Sequence, residues 1–406
     1  MMRPISLSER IRELDVLRGA ALLGIIAANM RAFNSPQPTY MDHTLMWTGM
    51  PDRIAQVLID LLVSGKFITL FGFLFGIGFA VQMDRAAVRG VAPRGFYLRR
   101  MTVLLSFGLL HMALLWWGDI LAYYALTGYA LLLFRKRSQK TLLIWAAALY
   151  AWPMLLFGAM LIAHAAGAQI PLPPKTTPEE LQRVIAVFAT GTYGQMFRER
   201  LNEMIFNVIG LVFICPRILA IFLFGMWTWR TGILRNLGEH RPILRACRKW
   251  GLVAGLALNG AMVAIGEILR PDPMSPSAIG FVWMAVGSIG VPPLSLFYAA
   301  SIALLYQDAT WERRLRPFAA VGRTALTNYL LQTVICTTLY NAWGFGLYGK
   351  VGPLLGLAPT AGIYAVQLAA SAWWVRRFTF GPLEWLWRAV TYGRVERDGQ
   401  PAVAGT

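Results

Sequence analysis

Long apolar segments alternate with short polar ones along the whole chain. A helix that crosses a bilayer needs about 20 mostly apolar residues, and several segments meet or nearly meet that length. They are residues 14–33, 66–84, 98–117, 119–134, 141–165, 206–229, 250–269, 280–306, 318–342 and 354–375. The pattern predicts an all-α fold, a polytopic integral membrane bundle of about ten transmembrane helices.

The composition agrees with a membrane protein and restricts what the charge means. Of the 406 residues, 57% are hydrophobic and 14% are charged, whereas soluble domains carry about 25% charged residues. A net charge of +18 would suggest a nucleic-acid partner in a soluble protein. Here the basic residues lie between the apolar segments. We therefore expect the lipid bilayer as the partner, and no nucleic acid.

The basic residues also predict the orientation of the helices. Loops on the cytosolic side of a membrane protein carry an excess of Lys and Arg. If the N-terminus is cytosolic, most of the 38 lysines and arginines fall in the alternate loops on that side. The sequence therefore predicts that both termini are cytosolic.

The chain is predicted to form one membrane domain, residues 1–397, followed by a disordered tail, residues 398–406. Helices one to six occupy residues 1–230, and a C-terminal region with four helices occupies 231–397. No internal repeat is strong enough to indicate the inverted halves of a transporter.

One stretch combines two ionisable residues with otherwise apolar and aromatic ones. Residues 108–128 read GLLHMALLWWGDILAYYALTG, which predicts a tight hairpin between two helices and contains His111 and Asp119. Ionisable groups are costly near hydrocarbon and mark working sites. His111 is suited to act as a general base, with Asp119 fixing its tautomer. The structural alternative is a histidine that bonds a neighbouring helix and an aspartate that caps the next one.

Other polar side chains are expected on the same side of the membrane. Tyr123 follows Asp119 by four residues, on the same helix face, and Lys66 begins the second helix. Lys66 could stabilise an oxyanion or pair with Asp119. The candidate catalytic residues are thus His111, Asp119, Lys66 and Tyr123, with His43 as a second candidate base. No metal-ligand spacing occurs, so we predict no metal site.

The first helix carries polar residues that could line a passage through the membrane. Asp15 and Arg18 lie three residues apart in LDVLRG, a spacing that allows an ion pair. Asn29 follows Arg18 by eleven residues and shares its helix face to within about 20°. The alternative is an anchoring ion pair and one packed asparagine.

Polar residues in later helices extend this set of candidates. Arg323 opens the ninth predicted helix at its cytosolic end. Asn328 and Gln332 belong to a polar row on that helix, for which interhelical hydrogen bonds are the structural explanation; the row recurs at every fourth residue and consists of Thr324, Asn328, Gln332 and Cys336. Arg217 and Glu267 lie inside apolar segments, where they could pair with each other, or Arg217 could contact an anionic lipid or substrate. Two small-residue spacings, at 72–76 and 251–255, are typical of close helix packing.

Several stretches together carry a family resemblance. They are LDVLRGAALLGIIAAN at 14–29, KFITLFGFLFGIGFA at 66–80, the 108–128 stretch, GRTALTNYLLQTVICTTLY at 322–340 and GPLEWLWRAVTYG at 381–393. In order along the chain, they resemble the YeiB-like family of bacterial membrane proteins. The resemblance implies a multi-pass protein of the bacterial inner membrane, with 231–397 as its C-terminal YeiB-like region.

That family is distantly similar to the transmembrane acyltransferase superfamily, which includes bacterial sugar O-acyltransferases and heparan-alpha-glucosaminide N-acetyltransferase. The wider resemblance implies transfer of an acyl group from cytosolic acyl-CoA, a substrate rather than a bound cofactor, to a small-molecule or glycan acceptor in the envelope. The sugar O-acyltransferases place a histidine where this chain has Asn29, which cannot act as a base. The heparan branch also carries asparagine there.

The same buried polar residues allow a second function from a different class. A proton-coupled transporter or permeation protein for a small solute, including an anionic one, could use the histidine, aspartate, arginine and glutamate side chains without covalent chemistry. The sequence indicates no oligomeric state.

Overall fold

The computed structural model of the protein describes residues 11–41, 46–90, 92–169, 176–234, 236–272 and 276–392, and every regular element in those residues is a helix. The helices are α1 (Arg12–Asn29), α2 (Gln37–Met41), α3 (Met50–Leu62), α4 (Lys66–Val88), α5 (Arg94–Leu114), α6 (Leu121–Phe134), α7 (Gln139–Ala165), α8 (Pro178–Thr190), α9 (Tyr193–Arg230), α10 (Arg241–Leu269), α11 (Ala278–Leu305), α12 (Ala309–Arg323), α13 (Ala325–Tyr340), α14 (Pro353–Trp374) and α15 (Pro382–Tyr392). The predicted all-α class is confirmed.

Polar caps fix where several helices begin. The Thr192 side chain accepts a hydrogen bond from the Gln195 backbone N–H, and the Gln195 side chain binds the Thr192 N–H in return, a capping box at the start of α9. The Ser138 side chain at the start of α7 and the Asp308 side chain at the start of α12 also accept hydrogen bonds from backbone N–H groups. Each cap satisfies N–H groups that have no partner within the helix.

Several helices are long and apolar enough to cross a membrane. They are the stretch Met50–Val88, which contains α3 and α4, the Gly210–Arg230 part of α9, and Gln139–Ala165, Arg241–Leu269, Ala278–Leu305 and Pro353–Trp374. The helix α6 is apolar but shorter. The chain is therefore a multi-pass membrane protein.

Close helix crossings hold the bundle together around a core formed by α1, α4, α5, α6 and α9. A methyl group added at Gly76 would lie 2.0 Å from the Phe222 carbonyl oxygen, and one at Gly225 would lie 2.1 Å from the Phe73 carbonyl oxygen. The absence of side chains lets α4 and α9 meet backbone to backbone. The spacing at 251–255 packs in the same way against Pro293 and Leu294 of α11. Close packing at both predicted glycine spacings is confirmed.

The segment 318–342, predicted as one helix, is divided between α12 and α13 at Thr324. The Glu384 carboxylate of α15 accepts hydrogen bonds from the Leu326 and Thr327 backbone N–H groups, at 2.6 and 3.1 Å, and from the Thr327 hydroxyl at 2.6 Å. A carboxylate is stabilising at a helix N-terminus. The partner that allows a new helix to start here thus comes from a distant part of the chain.

The bundle has two chemically different ends. At the tryptophan end, which contains Trp116 and Trp117, α1, α5 and α13 finish and α4, α6 and α14 begin. At the arginine end, which contains Arg18, Arg100 and Arg323, α1, α5 and α13 begin and α4, α6 and α14 finish. Trp116 Nε1 donates to the Ala32 carbonyl oxygen at 3.0 Å and so ties the end of α5 to the segment after α1.

Candidate functional site

The centre of the candidate site is a chain of three buried side chains at the tryptophan end. His111 Nδ1 lies 2.8 Å from Asp119 Oδ1, and His111 Nε2 lies 2.9 Å from Thr333 Oγ1. The histidine and aspartate side chains are 1% and 0% exposed, and Thr333 is fully buried. The three residues come from the last turns of α5, the segment before α6, and the middle of α13.

The acceptor and donor capacities of these groups fix the direction of the hydrogen bonds. A carboxylate can only accept, so His111 donates its Nδ1–H to Asp119. In a neutral imidazole, Nε2 then carries the lone pair and accepts the hydrogen of the Thr333 hydroxyl. The order carboxylate, imidazole, hydroxyl is the arrangement that activates a hydroxyl group in many hydrolases and transferases.

Asp119 has a structural role as well. Its Oδ2 accepts a hydrogen bond from the Ala122 backbone N–H at 2.6 Å, at the start of α6. A Cβ at Gly108 would lie 2.8 Å from Asp119 Oδ2 and 2.3 Å from the Ala122 nitrogen, so glycine is what allows α5 to approach this turn. The geometry therefore accommodates both roles considered for Asp119, a cap and an orienting partner.

Aromatic rings enclose the imidazole. The Tyr329 ring centroid lies 5.5 Å from that of His111, and the Trp116 ring stands edge-on at 6.4 Å. Low polarity around a hydrogen-bonded chain strengthens its electrostatic interactions. His111 thus occupies a dry environment rather than an open aqueous cleft.

Two of the four predicted catalytic residues bond elsewhere. Lys66 Nζ donates to the Asp60 carbonyl oxygen at 2.5 Å, so the predicted alternative in which Lys66 pairs with Asp119 is wrong. The reason is local, because Lys66 follows the turn at Gly65, whose φ is 81°, and reaches back to a carbonyl oxygen only six residues earlier. Tyr123 donates to the Asn207 carbonyl oxygen at 3.1 Å and joins α6 to α9.

The candidates for the passage form hydrogen bonds within the bundle. Arg18 and Asp15 form the predicted ion pair, at 2.6 Å. Asn328 Nδ2 donates to Ser371 Oγ at 2.9 Å, and Gln332 Nε2 donates to Gln367 Oε1 at 2.8 Å. The expected interior-facing row on α13 is therefore bonded to α14. Asn29 is the last residue of α1.

The remaining charged candidates have separate partners. Glu267 pairs with Arg53, whose Nε lies 2.5 Å from Glu267 Oε2, while Arg217 donates to the Tyr150 hydroxyl at 3.2 Å. The predicted Arg217–Glu267 pair is therefore wrong, because the amphipathic α3 places an arginine beside the end of α10. Arg323 donates to the Thr379 carbonyl oxygen at 3.2 Å.

The predictions for a second candidate base, for the C-terminal tail and for metal binding remain. His43 and the tail 398–406 lie outside the described residues. Among the described residues, no group of three or more His, Cys, Asp or Glu side chains could hold a metal ion.

Sequence reasoning missed two residues of this region, Thr333 and Arg200. In the sequence, Thr333 is one of several small polar residues on an apolar helix. Only its hydrogen bond with His111 distinguishes it from the others. Arg200 lies in the polar RERLNE stretch, yet its side chain is 1% exposed. Together with Trp116, Thr337, Tyr348 and their neighbours it lines a cavity of about 10 Å³ beside the His111 site.

One further acid, half-buried Glu203, lies a helical turn after Arg200. Burial raises the pKa of Glu203 to about 8 from an ordinary value of 4.5. The folded protein then binds more protons than the unfolded chain between these two pH values, so stability falls as the pH rises through that range. Glutamine cannot ionise and escapes this loss.

We therefore expect Glu203→Gln to raise the thermal unfolding midpoint at pH 8.5, by an amount equivalent to at most about 5 kcal/mol, since the pKa shift from 4.5 to about 8 corresponds to about 1.4 kcal/mol per unit. The gain should shrink toward pH 5. Glu199→Gln is the matched control, because Glu199 pairs with Arg183 at 2.5 Å and its loss should not produce this pH dependence. A Glu203→Gln curve parallel to wild type would contradict the assignment.

Comparison with known proteins gives the family. The model described as "Protein of unknown function (DUF418)" matches residues 228–394. The "Uncharacterized protein YeiB" of Escherichia coli (strain K12) is 29% identical over 98% of this chain and 99% of its own. The "Uncharacterized protein YxaH" of Bacillus subtilis (strain 168) is 34% identical over 96% of both chains. This chain belongs to the YeiB-like family.

A third YeiB-like relative has the same extent. An uncharacterized 39.9 kDa protein of Bacillus acidopullulyticus is 30% identical over 97% of both chains. The similarity spans nearly the full length of each relative and confirms the resemblance read from the sequence. The names of these relatives give no activity, so the chemistry has to be argued from the site itself.

Proposed function

We propose that this YeiB-like protein is an acyltransferase of the bacterial inner membrane. It moves an acyl group, such as acetyl, from acyl-CoA to a hydroxyl or amine of an envelope or exported acceptor. The observation that carries the proposal is the chain of hydrogen bonds from Asp119 through His111 to Thr333. Such a chain leaves Nε2 ready to remove a proton from whatever group lies beside it.

The Thr333 hydroxyl marks the place of the reacting group. In the reaction the acceptor hydroxyl or amine takes that place, and His111 Nε2 removes its proton as the acceptor atom attacks the thioester carbonyl carbon. The carbon–sulfur bond breaks, and the thiolate of CoA takes the proton from His111. Asp119 holds the tautomer and stabilises the transient imidazolium. Lys66 and Tyr123 support the neighbouring helices.

The donor enters from the arginine end in this proposal. Arg18, Arg100 and Arg323 lie at that end, where they suit the phosphates of CoA. Arg100 and His111 are separated on α5 by about 16 Å along the helix, a distance comparable with the pantetheine arm. The proposal therefore also includes about ten crossings with both termini in the cytosol, which places the arginine end next to the CoA pool.

The test follows labelled acetyl groups from acetyl-CoA into a bacterial envelope fraction, with purified full-length protein in liposomes. We expect transfer by the wild type and a loss of at least about 100-fold in His111→Gln, the usual contribution of a general base. His164→Gln, on the exposed last turn of α7, should keep wild-type activity. Unchanged transfer by His111→Gln rejects the assigned base, and absence of transfer by the wild type rejects the function.

Proton-coupled transport of a small anionic solute is a second candidate. It is favoured by the bonding of both His111 nitrogens, because an imidazole between a carboxylate and a hydroxyl can pass a proton from one to the other. Solute-dependent proton uptake into proteoliposomes without acyl-CoA would support transport, and uptake that is unaffected by His111→Gln would exclude this relay.

A further inference from the structure

Arg200 is a charged side chain buried outside the membrane. It lies on α9 six residues before the apolar segment predicted at 206–229, about 9 Å along the helix axis. Its relative exposure is 1%, although it does not belong to an apolar span. Arginine is almost never fully buried unless it is paired, so its surroundings should contain a negative group.

The described residues around Arg200 satisfy only part of the hydrogen-bonding capacity of its guanidinium group. Arg200 Nη1 donates to the Leu114 carbonyl oxygen at the end of α5, at 2.9 Å. Its Nη2 is buried with no hydrogen-bond partner among the described residues. Of the nearby acids, Glu199 is engaged by Arg183, and Glu203 lies one helical turn away, where its charge acts on Arg200 without a hydrogen bond between the two side chains. Among the described residues, the guanidinium therefore forms no ion pair.

The guanidinium faces a cavity with aromatic walls. Its central carbon lies 5.7 Å from the Phe188 ring centroid and 5.5 Å from that of Tyr193. The cavity is also lined by Phe33, Trp116, Trp117, Thr337, Asn341 and Tyr348. Its volume of about 10 Å³ is near the smallest space that admits one water-sized group. This space is large enough for one oxygen atom of an anionic group.

We propose that this cavity is an anion-binding site in which Arg200 holds a carboxylate or phosphate group of a small molecule. The planar guanidinium matches the geometry of these groups, and a charge-assisted bond to the free Nη2 is stronger in such dry surroundings. The aromatic walls keep bulk water away from the guanidinium. The proposal goes beyond acyl transfer and holds whether or not that reaction occurs.

The position of the cavity connects it with the His111 site. Trp116 forms one wall of the cavity and stands 6.4 Å from the His111 ring. Thr337, on another wall, donates through its hydroxyl to the Thr333 carbonyl oxygen at 2.8 Å. A molecule whose anionic group is held by Arg200 is thus placed within one side chain of His111. The site assigns an acidic small molecule as the ligand at the tryptophan end.

The test measures thermal unfolding of the full-length protein in a neutral detergent, titrated with sodium acetate or sodium phosphate against sodium chloride at equal ionic strength. Ligand that binds the folded state raises the unfolding midpoint in a saturable manner. We expect such a rise in the wild type and in Arg198→Gln, whose exposed side chain lies on the same helix. A response to acetate alone assigns a carboxylate, and a response to phosphate alone assigns a phosphate group.

In Arg200→Gln the saturable rise should disappear, and in Arg200→Lys the apparent affinity should fall at least about 10-fold, because lysine keeps the charge without the guanidinium fork. The lysine variant keeps the test valid if the glutamine variant does not fold. The proposal is overturned if the wild-type midpoint responds to neither anion. It is also overturned if the lysine and glutamine variants both respond as the wild type does. In either case the cavity holds only water.

Discussion

Asparagine in place of Asp119 is expected to lower the rate of acyl transfer by about 10³- to 10⁴-fold, the loss seen when the carboxylate of a similar triad becomes an amide. The Asn amide NH₂ would face Nδ1 and favour the tautomer with its hydrogen on Nε2. That tautomer cannot accept a proton from Thr333 or from an acceptor. The measurement is kcat with labelled acetyl-CoA, together with the thermal unfolding midpoint.

The asparagine variant separates the two roles of Asp119. Asparagine caps a helix about as well as aspartate, so the hydrogen bond from the Ala122 N–H should persist and the protein should stay folded. Asp308→Asn is the matched control, because Asp308 caps α12 through Thr310 and Trp311 and has no histidine partner among the described contacts. If Asp119→Asn keeps more than about a tenth of the wild-type rate, the hydrogen bond between His111 and Asp119 has a structural role only.

The contact between His111 and Asp119 could be anticipated because both residues belong to one hairpin. Eight residues separate them, and a tight turn between antiparallel helices leaves few ways to keep two such groups apart. Thr333 could not be anticipated in the same way. It reaches His111 from a helix more than 200 residues later, and no periodic pattern in one sequence encodes which face of that helix meets α5.

The failed predictions share a physical cause. The expected side of the membrane makes Asp119 one possible partner of Lys66, whereas Lys66 follows the left-handed turn at Gly65 and bonds the Asp60 carbonyl oxygen. The cost of charges in an apolar segment makes Arg217 one possible partner of Glu267. The closer partner proved to be Arg53 on the amphipathic α3. Hydropathy locates a charge along the chain but does not select its partner.

The break between α12 and α13 belongs to the same class of feature. Residues 318–342 are apolar enough to be taken as one helix, and the nearest glycine, Gly322, lies within α12 rather than at the break. The interruption depends on the Glu384 carboxylate, which accepts the hydrogen bonds of the Leu326 and Thr327 N–H groups. In a continuous helix, backbone carbonyl oxygens of the preceding turn would accept these bonds. Long-range capping of this kind positions the start of α13, and with it the row that contains Thr333.

Alanine in place of Gly322 is expected to destabilise the folded protein by about 3 kcal/mol or more, at the upper end of the cost of overpacking. A Cβ at Gly322 would lie 1.9 Å from the Asp15 carbonyl oxygen, and one at Gly19 would lie 2.0 Å from the Phe318 carbonyl oxygen. The helices α1 and α12 therefore cross through two glycines, each against the other's backbone. Backbone cannot rotate away as a side chain can.

The crossing of α1 and α12 also affects the His111 site. A shift of α12 away from α1 would carry with it the turn at Thr324 and hence α13, so Gly322→Ala should also loosen the bond between Thr333 and His111. The control is Gly362→Ala in α14, where an added methyl group meets nothing within 4 Å and where alanine is the better helix former. Its unfolding midpoint should equal or exceed that of the wild type. Equal midpoints for Gly322→Ala and Gly362→Ala would mean that α1 and α12 adjust to the methyl group at little cost, and that the crossing does not hold the His111 site in place.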